Sequence, residues 1–319
     1  MPLPSDSSIR TYVSSLNSLA RDLGYDAQPE GFAWVANAPH VWAIMNSAIT
    51  NKGEPLSLGT KSTRLFSIKY LLECLDAPKD IWATYEPYVA IVKKGLDEKY
   101  ADNAKSAKEE AEWMSMADLK KVLDELEKSV PKKIDITNGS AYRNLMKYLV
   151  LKFHLNTPIR NDLSDAKIYK NPSDEEIADE SMNYIVIRTE GGARTGQFID
   201  NIYKTKFSKG QLIFDLEESL VNDLFQYYDI LVEFSPHHWF VINNDGEQMQ
   251  RNNFTKFIQS IFRPYNKNIS TTMLRKIFKS DKEHLTKEDI EREKEAKELA
   301  RIMGHSLGIA KKYYVKVEN

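Results

Sequence analysis

Near the end of this 319-residue chain stand two side chains able to act on one reacting group, His305 and Tyr314. The segment reads Gly304-His305-Ser306-Leu307-Gly308-Ile309-Ala310-Lys311-Lys312-Tyr313-Tyr314. A tyrosine phenol ordinarily has a pKa of about 10. To attack as a nucleophile it must give its proton to a base or be held as phenolate by nearby cations. In one unbroken helix the His305–Tyr314 spacing is about two and a half turns, which would set the two on opposite faces. For both to reach one group the chain must break between them. Gly304 and Gly308 permit that break, and Ser306 suits the N-cap of a new final helix. Tyr313 and Tyr314 lie about 100° apart on a helix, so only one of them can face a given point.

Upstream, three cations sit in short boxes: Arg160 in Thr157-Pro158-Ile159-Arg160, Lys204 in Tyr203-Lys204-Thr205, and Arg275 in Thr272-Met273-Leu274-Arg275. A guanidinium stays charged and bonds an oxyanion bidentately. Each of these residues also has a plain structural reading. Arg160 would pair with Asp162 or Asp165. Lys204, close to Lys206 and Lys209, would be a solvated charge at a hairpin edge. Arg275 would point to water, His305 would be a satisfied core histidine, and Tyr314 would pack in a terminal helix.

The composition limits the classes open to the chain. With 42 % hydrophobic and 28 % charged residues, it can bury more than one core. The single cysteine, Cys74, excludes a disulfide framework or a cysteine-rich zinc site and suits a reducing compartment. No apolar run has the length of a membrane span and the N-terminus lacks a signal-peptide core, so the expectation is an intracellular protein. The formal net charge of −2 does not mark a nucleic-acid binder, but its distribution is uneven. From Arg251 to Lys282 there are eight Lys/Arg and one acidic residue, Asp281.

These residues must be held by a mainly helical scaffold. Tyr12, Val13, Leu16, Leu19 and Ala20, then Leu65, Ile68, Leu71 and Leu72, recur at helical spacing. Residues 97–112 are almost wholly polar. The expected organisation is therefore a helical domain over 1–100, a linker over 101–112 and a second domain over 113–319. In the second domain Ser115 or Met116 opens a helix, and another starts near Ser140. Three β-rich runs, Met182–Arg188, Gln197–Lys204 and Gln211–Leu216, are separated by glycine-containing turns. They predict a three-stranded antiparallel meander over about 182–216. Helical pattern resumes over Leu216–Leu231, Asn253–Phe262, Thr272–Phe278 and Lys287–Met303. The fold class is mainly α with a small antiparallel sheet (α+β).

In this order the boxes resemble those of the tyrosine recombinases, the phage-integrase family. Thr157-Pro158-Ile159-Arg160 is similar to that family's T-G-x-R box with proline for glycine. Tyr203-Lys204-Thr205 is similar to its hairpin Lys-Thr, and Thr272-Met273-Leu274-Arg275 to its H-x-x-R with threonine for histidine. Gly304-His305-Ser306 and Tyr314 resemble its last box. The resemblance covers roughly residues 113–319, and the first domain resembles the family's core-binding domain by type. The wording is most like that of recombinases of eukaryotic DNA viruses, virophages and related mobile elements, which implies the cytoplasm or nucleus of a host cell.

The resemblance implies a site-specific recombinase that cuts and rejoins double-stranded DNA through a 3′-phosphotyrosyl intermediate. It implies Arg160, Arg275 and His305 on the phosphate oxygens, Lys204 (or Lys206) as proton donor to the leaving 5′-oxygen, and Tyr314 (or Tyr313) as nucleophile. Such catalysis is chiefly positioning and charge stabilisation. No metal, ATP or other cofactor is expected, since the sequence has no H-E-x-x-H, paired-cysteine or Walker spacing. A homotetramer on DNA, formed from monomers or dimers, is the implied assembly. Thr272 is the departure: its hydroxyl can bond a phosphate oxygen but cannot exchange a proton near neutral pH, and His237 or His238 could substitute. The alternatives are a type IB topoisomerase or resolvase-like strand transferase, and a DNA-binding protein whose active site has decayed.

Overall fold

The computed structural model describes residues 6–25, 32–100, 104–131, 133–134, 138–204, 206–283 and 287–302. The chain divides into two compact units. One spans residues 105–287; the other joins residues 1–104 with the helix that begins near Glu288.

The first unit is built from α1 (Asp6–Asp22), α2 (Ala38–Ser47), α3 (Leu58–Cys74), α4 (Lys79–Ala83) and α5 (Glu86–Tyr100). The apolar spacing read from α1 and α3 becomes its core, where Leu16, Leu19, Leu65, Ile68, Leu71 and Leu72 pack with Trp34, Val41, Met45 and Val92. Ser57 caps α3, its Oγ accepting from the Thr60 amide at 3.1 Å. The Tyr85 hydroxyl, fully buried, donates to the Val35 carbonyl at 2.7 Å, and Arg64 joins α3 to Asp22 of α1 at 2.7 Å.

The second unit carries α6 (Ala107–Glu112), α7 (Met116–Ser129) and α8 (Gly139–Asn156), then β1 (Ala166–Lys170), β2 (Asn183–Glu190) and β3 (Ala193–Asp200). The short α9 (Lys206–Lys209) precedes β4 (Leu212–Asp215), followed by α10 (Glu218–Phe234), α11 (Arg251–Phe262) and α12 (Thr271–Glu283). Finally α13 (Lys287–Ile302) runs into the other unit. The protein is thus mainly helical with one small sheet.

That sheet differs from the expected three-stranded meander. It has four strands in the order β1-β2-β3-β4, with β1 parallel to β2 and the other pairs antiparallel. The strand Ala166–Lys170 turns only Ala166 and Ile168 into the core, too few apolar positions to mark a strand. Its partners are distant in sequence: β2 on one side, and on the other the chain at His238 and Phe240. Gly191 and Gly192, both at positive φ, form the two-residue β2–β3 turn. The run Tyr184–Ile187 is buried throughout because both faces of the sheet are covered. Ile185, Ile187 and Phe198 join the main core, while Tyr184, Val186 and Ile199 pack with Tyr169, Ile177 and Met182. Strand β3 stops at Asp200, so Lys204 lies in the β3–β4 connection and not on a strand as expected.

The polar stretch expected as a linker over 101–112 is in part structured. Ala107–Glu112 is helical, opened by a capping box between Ser106 and Glu109. Glu109 pairs with Lys276, and the Glu112 carboxylate accepts from the Asn268 amide, both within the second unit. The second unit also ends near Lys287, not at 319 as expected. The charged Lys287–Ile302 helix has no strong apolar stripe by which its sequence could assign it to either unit.

Candidate phosphate-binding site

The helix α8 is buried along most of its length, and Lys152 and Tyr148 both bond Asp223 of α10. It ends where Pro158 requires an extended Thr157, found at φ −130°, ψ 96°. Two residues on stands Arg160, exposed, between this helix end and a 3-10 turn over Asn161–Asp165 that leads directly into β1. A rigid helix and a sheet strand therefore hold Arg160 from both sides.

The residue after it does the positioning. The Asn161 amide donates to Thr255 Oγ1 at 2.8 Å and to the Arg251 carbonyl at 3.3 Å, both on α11. Its Oδ1 accepts from Thr271 Oγ1 at 2.6 Å, at the start of α12. The Arg160 turn is thereby joined to the helix that carries Arg275. Leu274 and Ile277 seat α12 in the core, and Arg275, half-buried beside Leu274, donates from Nε to the Pro158 carbonyl at 3.2 Å. Burial, and then the neighbouring Arg160 guanidinium, push the Arg275 pKa below the ordinary arginine range.

The Arg160 guanidinium makes no ion pair within 4.0 Å to Asp162 or Asp165, although its charge favours the Asp162 carboxylate. Those carboxylates are engaged by Arg251, which lies 2.6 Å from Asp165 Oδ2 and 3.4 Å from Asp162 Oδ1. Among the described residues, no carboxylate oxygen lies within 4.0 Å of the Arg160 or Arg275 guanidinium. The Asp162 charge offsets part of the charge on both arginines, but two adjacent cations still repel each other, and an anion brought to them relieves that repulsion. Thr272, three residues before Arg275 on α12, is exposed and shares its helical face.

Lys204 is exposed and has no ion pair among the described residues, whereas Lys206 is 3.1 Å from Glu180 Oε2. The base of their connection is pinned to the Arg160 turn. Asn183, fully buried, donates to the Asp162 carbonyl at 2.9 Å, and its Oδ1 accepts from the amides of Asn201 (2.7 Å) and Ile202 (2.8 Å). Arg251 adds a bond to the Ile202 carbonyl at 3.1 Å. The described bonds thus gather Arg160, Arg275, Thr272 and the root of the Lys204 connection, with no bond from the Lys204 side chain to either arginine.

His237 and His238, considered as replacements for a histidine at Thr272, are engaged elsewhere. His237 lies 3.8 Å from Glu247, and His238 stacks on Tyr169 with ring centroids 4.7 Å apart. Among the described residues, the histidine behind the site is His154, fully buried on α8, with Nδ1 2.9 Å from the Val150 carbonyl. Burial lowers its pKa to about 4, so at neutral pH it is uncharged packing. His305, Tyr313 and Tyr314 lie outside the described residues, as does Thr205.

Sequence reasoning missed Asn161, Asn183, Arg251 and Thr271, which orient the site. A buried amide bridging three backbone groups has no local sequence signature; for Arg251 the only signal was membership of the basic window to Lys282. Among the described residues no group of three or more His, Cys, Asp or Glu is arranged to hold a metal ion, and no helix is long and apolar enough to cross a membrane. Neither a scan of protein-family models nor a search of curated proteins returns a match for this chain.

Proposed function

We propose that this protein is a site-specific tyrosine recombinase acting on double-stranded DNA. The observation that carries the reading is the pair of adjacent guanidiniums, Arg160 and Arg275, with no carboxylate oxygen within 4.0 Å among the described residues, while Arg251 makes the ion pairs to both nearby aspartates. A phosphodiester's non-bridging oxygens are the natural occupant, because two planar forks can bond them and the developing charge strengthens those bonds in the transition state.

In this mechanism the Tyr314 phenolate oxygen bonds to phosphorus after its proton has passed to solvent. The bond to the 5′-oxygen breaks, and that oxygen takes a proton from the Lys204 ammonium. The 3′-phosphotyrosyl ester conserves the bond energy, so a second strand's 5′-hydroxyl can reverse the step on a new partner without ATP. His305 donates to the same phosphate oxygens. Lys204 suits the donor role better than Lys206, which is held by Glu180. By the same reading, the chain assembles as a tetramer on its DNA site.

Thr272 favours one competing reading, a DNA-binding protein whose catalysis has lapsed, since losing a donor of this kind costs roughly 10²–10³ in rate. A covalent-trapping assay on nicked duplexes from the termini of the protein's own element, with EDTA present, separates the two. The expected result is an SDS-resistant protein–DNA adduct that Tyr314→Phe abolishes and Tyr313→Phe retains. Sequence-dependent binding with no adduct would replace the recombinase by the lapsed enzyme.

A further inference from the structure

Resting on the recombinase reading, we propose that Arg251 is a positioning residue, setting the connection that carries Lys204 against the turn that carries Arg160. Arg251 opens α11, and its guanidinium makes three kinds of contact. Nε donates to Asp165 Oδ2 at 2.6 Å, Nη2 lies 3.4 Å from Asp162 Oδ1, and Nη2 donates to the Ile202 carbonyl at 3.1 Å. The first two grip the turn that follows Arg160; the third grips the chain two residues before Lys204.

The rest of the connection shows why that third bond matters. Tyr203 closes it across its width, its hydroxyl donating to the Gly210 carbonyl at 2.7 Å, and Lys206 is tied to Glu180. Lys204 stands between these anchors with no ion pair among the described residues. Its placement therefore depends on where the base at Asn201 and Ile202 is fixed. Buried Asn183 fixes the amides there, and Arg251 fixes the Ile202 carbonyl. Unlike Arg160 and Arg275, Arg251 is already satisfied by carboxylates, so its fork is not available to the phosphate. Lysine in its place would keep the charge beside Asp162 and Asp165 but not the planar fork that spans both segments.

The step it serves is proton delivery. As the bond between phosphorus and the 5′-oxygen breaks, its electron pair stays on that oxygen, which takes a proton from Lys204 Nζ and leaves a neutral amine. A bridging sulfur in place of that oxygen leaves as a thiolate and needs no proton, so it bypasses Lys204 and any residue acting through it.

The test compares full-length wild type, Arg251→Lys, Lys204→Ala and Arg160→Ala on nicked duplexes whose scissile 5′-bridging atom is oxygen or sulfur. Arg251→Lys is expected to form adduct roughly 10- to 100-fold more slowly on oxygen and near the wild-type rate on sulfur, as Lys204→Ala does. Arg160→Ala is expected to be slow on both. Equal slowing of Arg251→Lys on the two substrates would overturn the positioning role and leave Arg251 a structural or phosphate-contacting residue. Wild type silent on both would instead remove the recombinase reading, and the inference with it.

A second arm uses no DNA. Trypsin should cut after Lys204 several-fold faster in Arg251→Lys than in wild type, at unchanged global stability; equal cutting would overturn the tie. Asp165→Asn, which loosens the same grip, serves if Arg251→Lys does not fold, with the same expectations in both arms.

Discussion

Arg160 exposes a conflict between stability and activity in one side chain. Among the described residues it makes no ion pair within 4.0 Å, and it stands beside Arg275, so its repulsion there offsets its attraction to Asp162 and it adds little packing. Arg160→Ala should change unfolding free energy by no more than about 0.5 kcal/mol, measured by urea denaturation, while adduct formation falls roughly 10²- to 10³-fold. Behind it, two buried groups titrate in opposition. His154, lowered to about 4, contributes stability above its unfolded pKa that is lost as pH falls from about 6.5 to about 4. Asp200 is buried with an unpartnered Oδ1, and burial followed by the charge of Asp162 raises its pKa to about 7. Its contribution is present at low pH and lost as pH rises from about 4 through 7. The windows overlap with opposite signs, so they largely cancel in wild type. Single variants should uncover them. Asp200→Asn should gain stability over wild type between pH 4 and 8, and His154→Gln should lose its deficit as pH falls from 7 to 4, both read by denaturation at each pH.

At the scale of elements, the site depends on how α12 and β3 are seated. Thr271 anchors α12 to Asn161 and leaves Thr272 exposed on the Arg275 face. If the proposed function holds, a histidine there would add a hydrogen-bond donor beside Arg275, so Thr272→His is expected to raise adduct formation, at least tenfold, in the trapping assay. No gain would mean that another group already fills that role. Strand β3 approaches α10 so closely at Gly196 that a Cβ there would lie 2.7 Å from Val221 Cγ2. Gly196→Val should therefore destabilise the second unit by about 1–3 kcal/mol through overpacking, seen as a lowered urea midpoint. It should slow cleavage only as far as it unfolds the protein.

For the molecule as a whole, the small net negative charge means that, on the proposed reading, any DNA affinity must come from local cations. Binding should weaken linearly in log–log plots against salt, with a slope of about −0.9 per neutralised phosphate. Arg160→Ala should make that slope shallower by about one unit, measured by anisotropy titrations across a salt series. The second unit's main core draws on residues from Leu119 to Ile277, all inside 105–287. A fragment covering that range should unfold cooperatively by itself in calorimetry.

Much of the architecture is written in local pattern. Leu65, Ile68, Leu71 and Leu72 declare a helix by spacing alone, and Gly191-Gly192 declare a turn by the positive φ they permit. The candidate residues were found in the same way, because boxes such as Thr157–Arg160 are short and contiguous. What the tertiary structure decided was which charges form close ion pairs. Arg160 has two aspartates within five residues, yet Arg251, some ninety residues away, makes the close ion pairs with both. Strand β1 likewise exists through its pairing with β2 and the chain near Trp239, not through its own composition. Sequence by itself determined helix, turn and the inventory of reactive groups, since those follow from neighbours a few residues apart. Partnership between charges follows from distance in space, which only the packed chain sets.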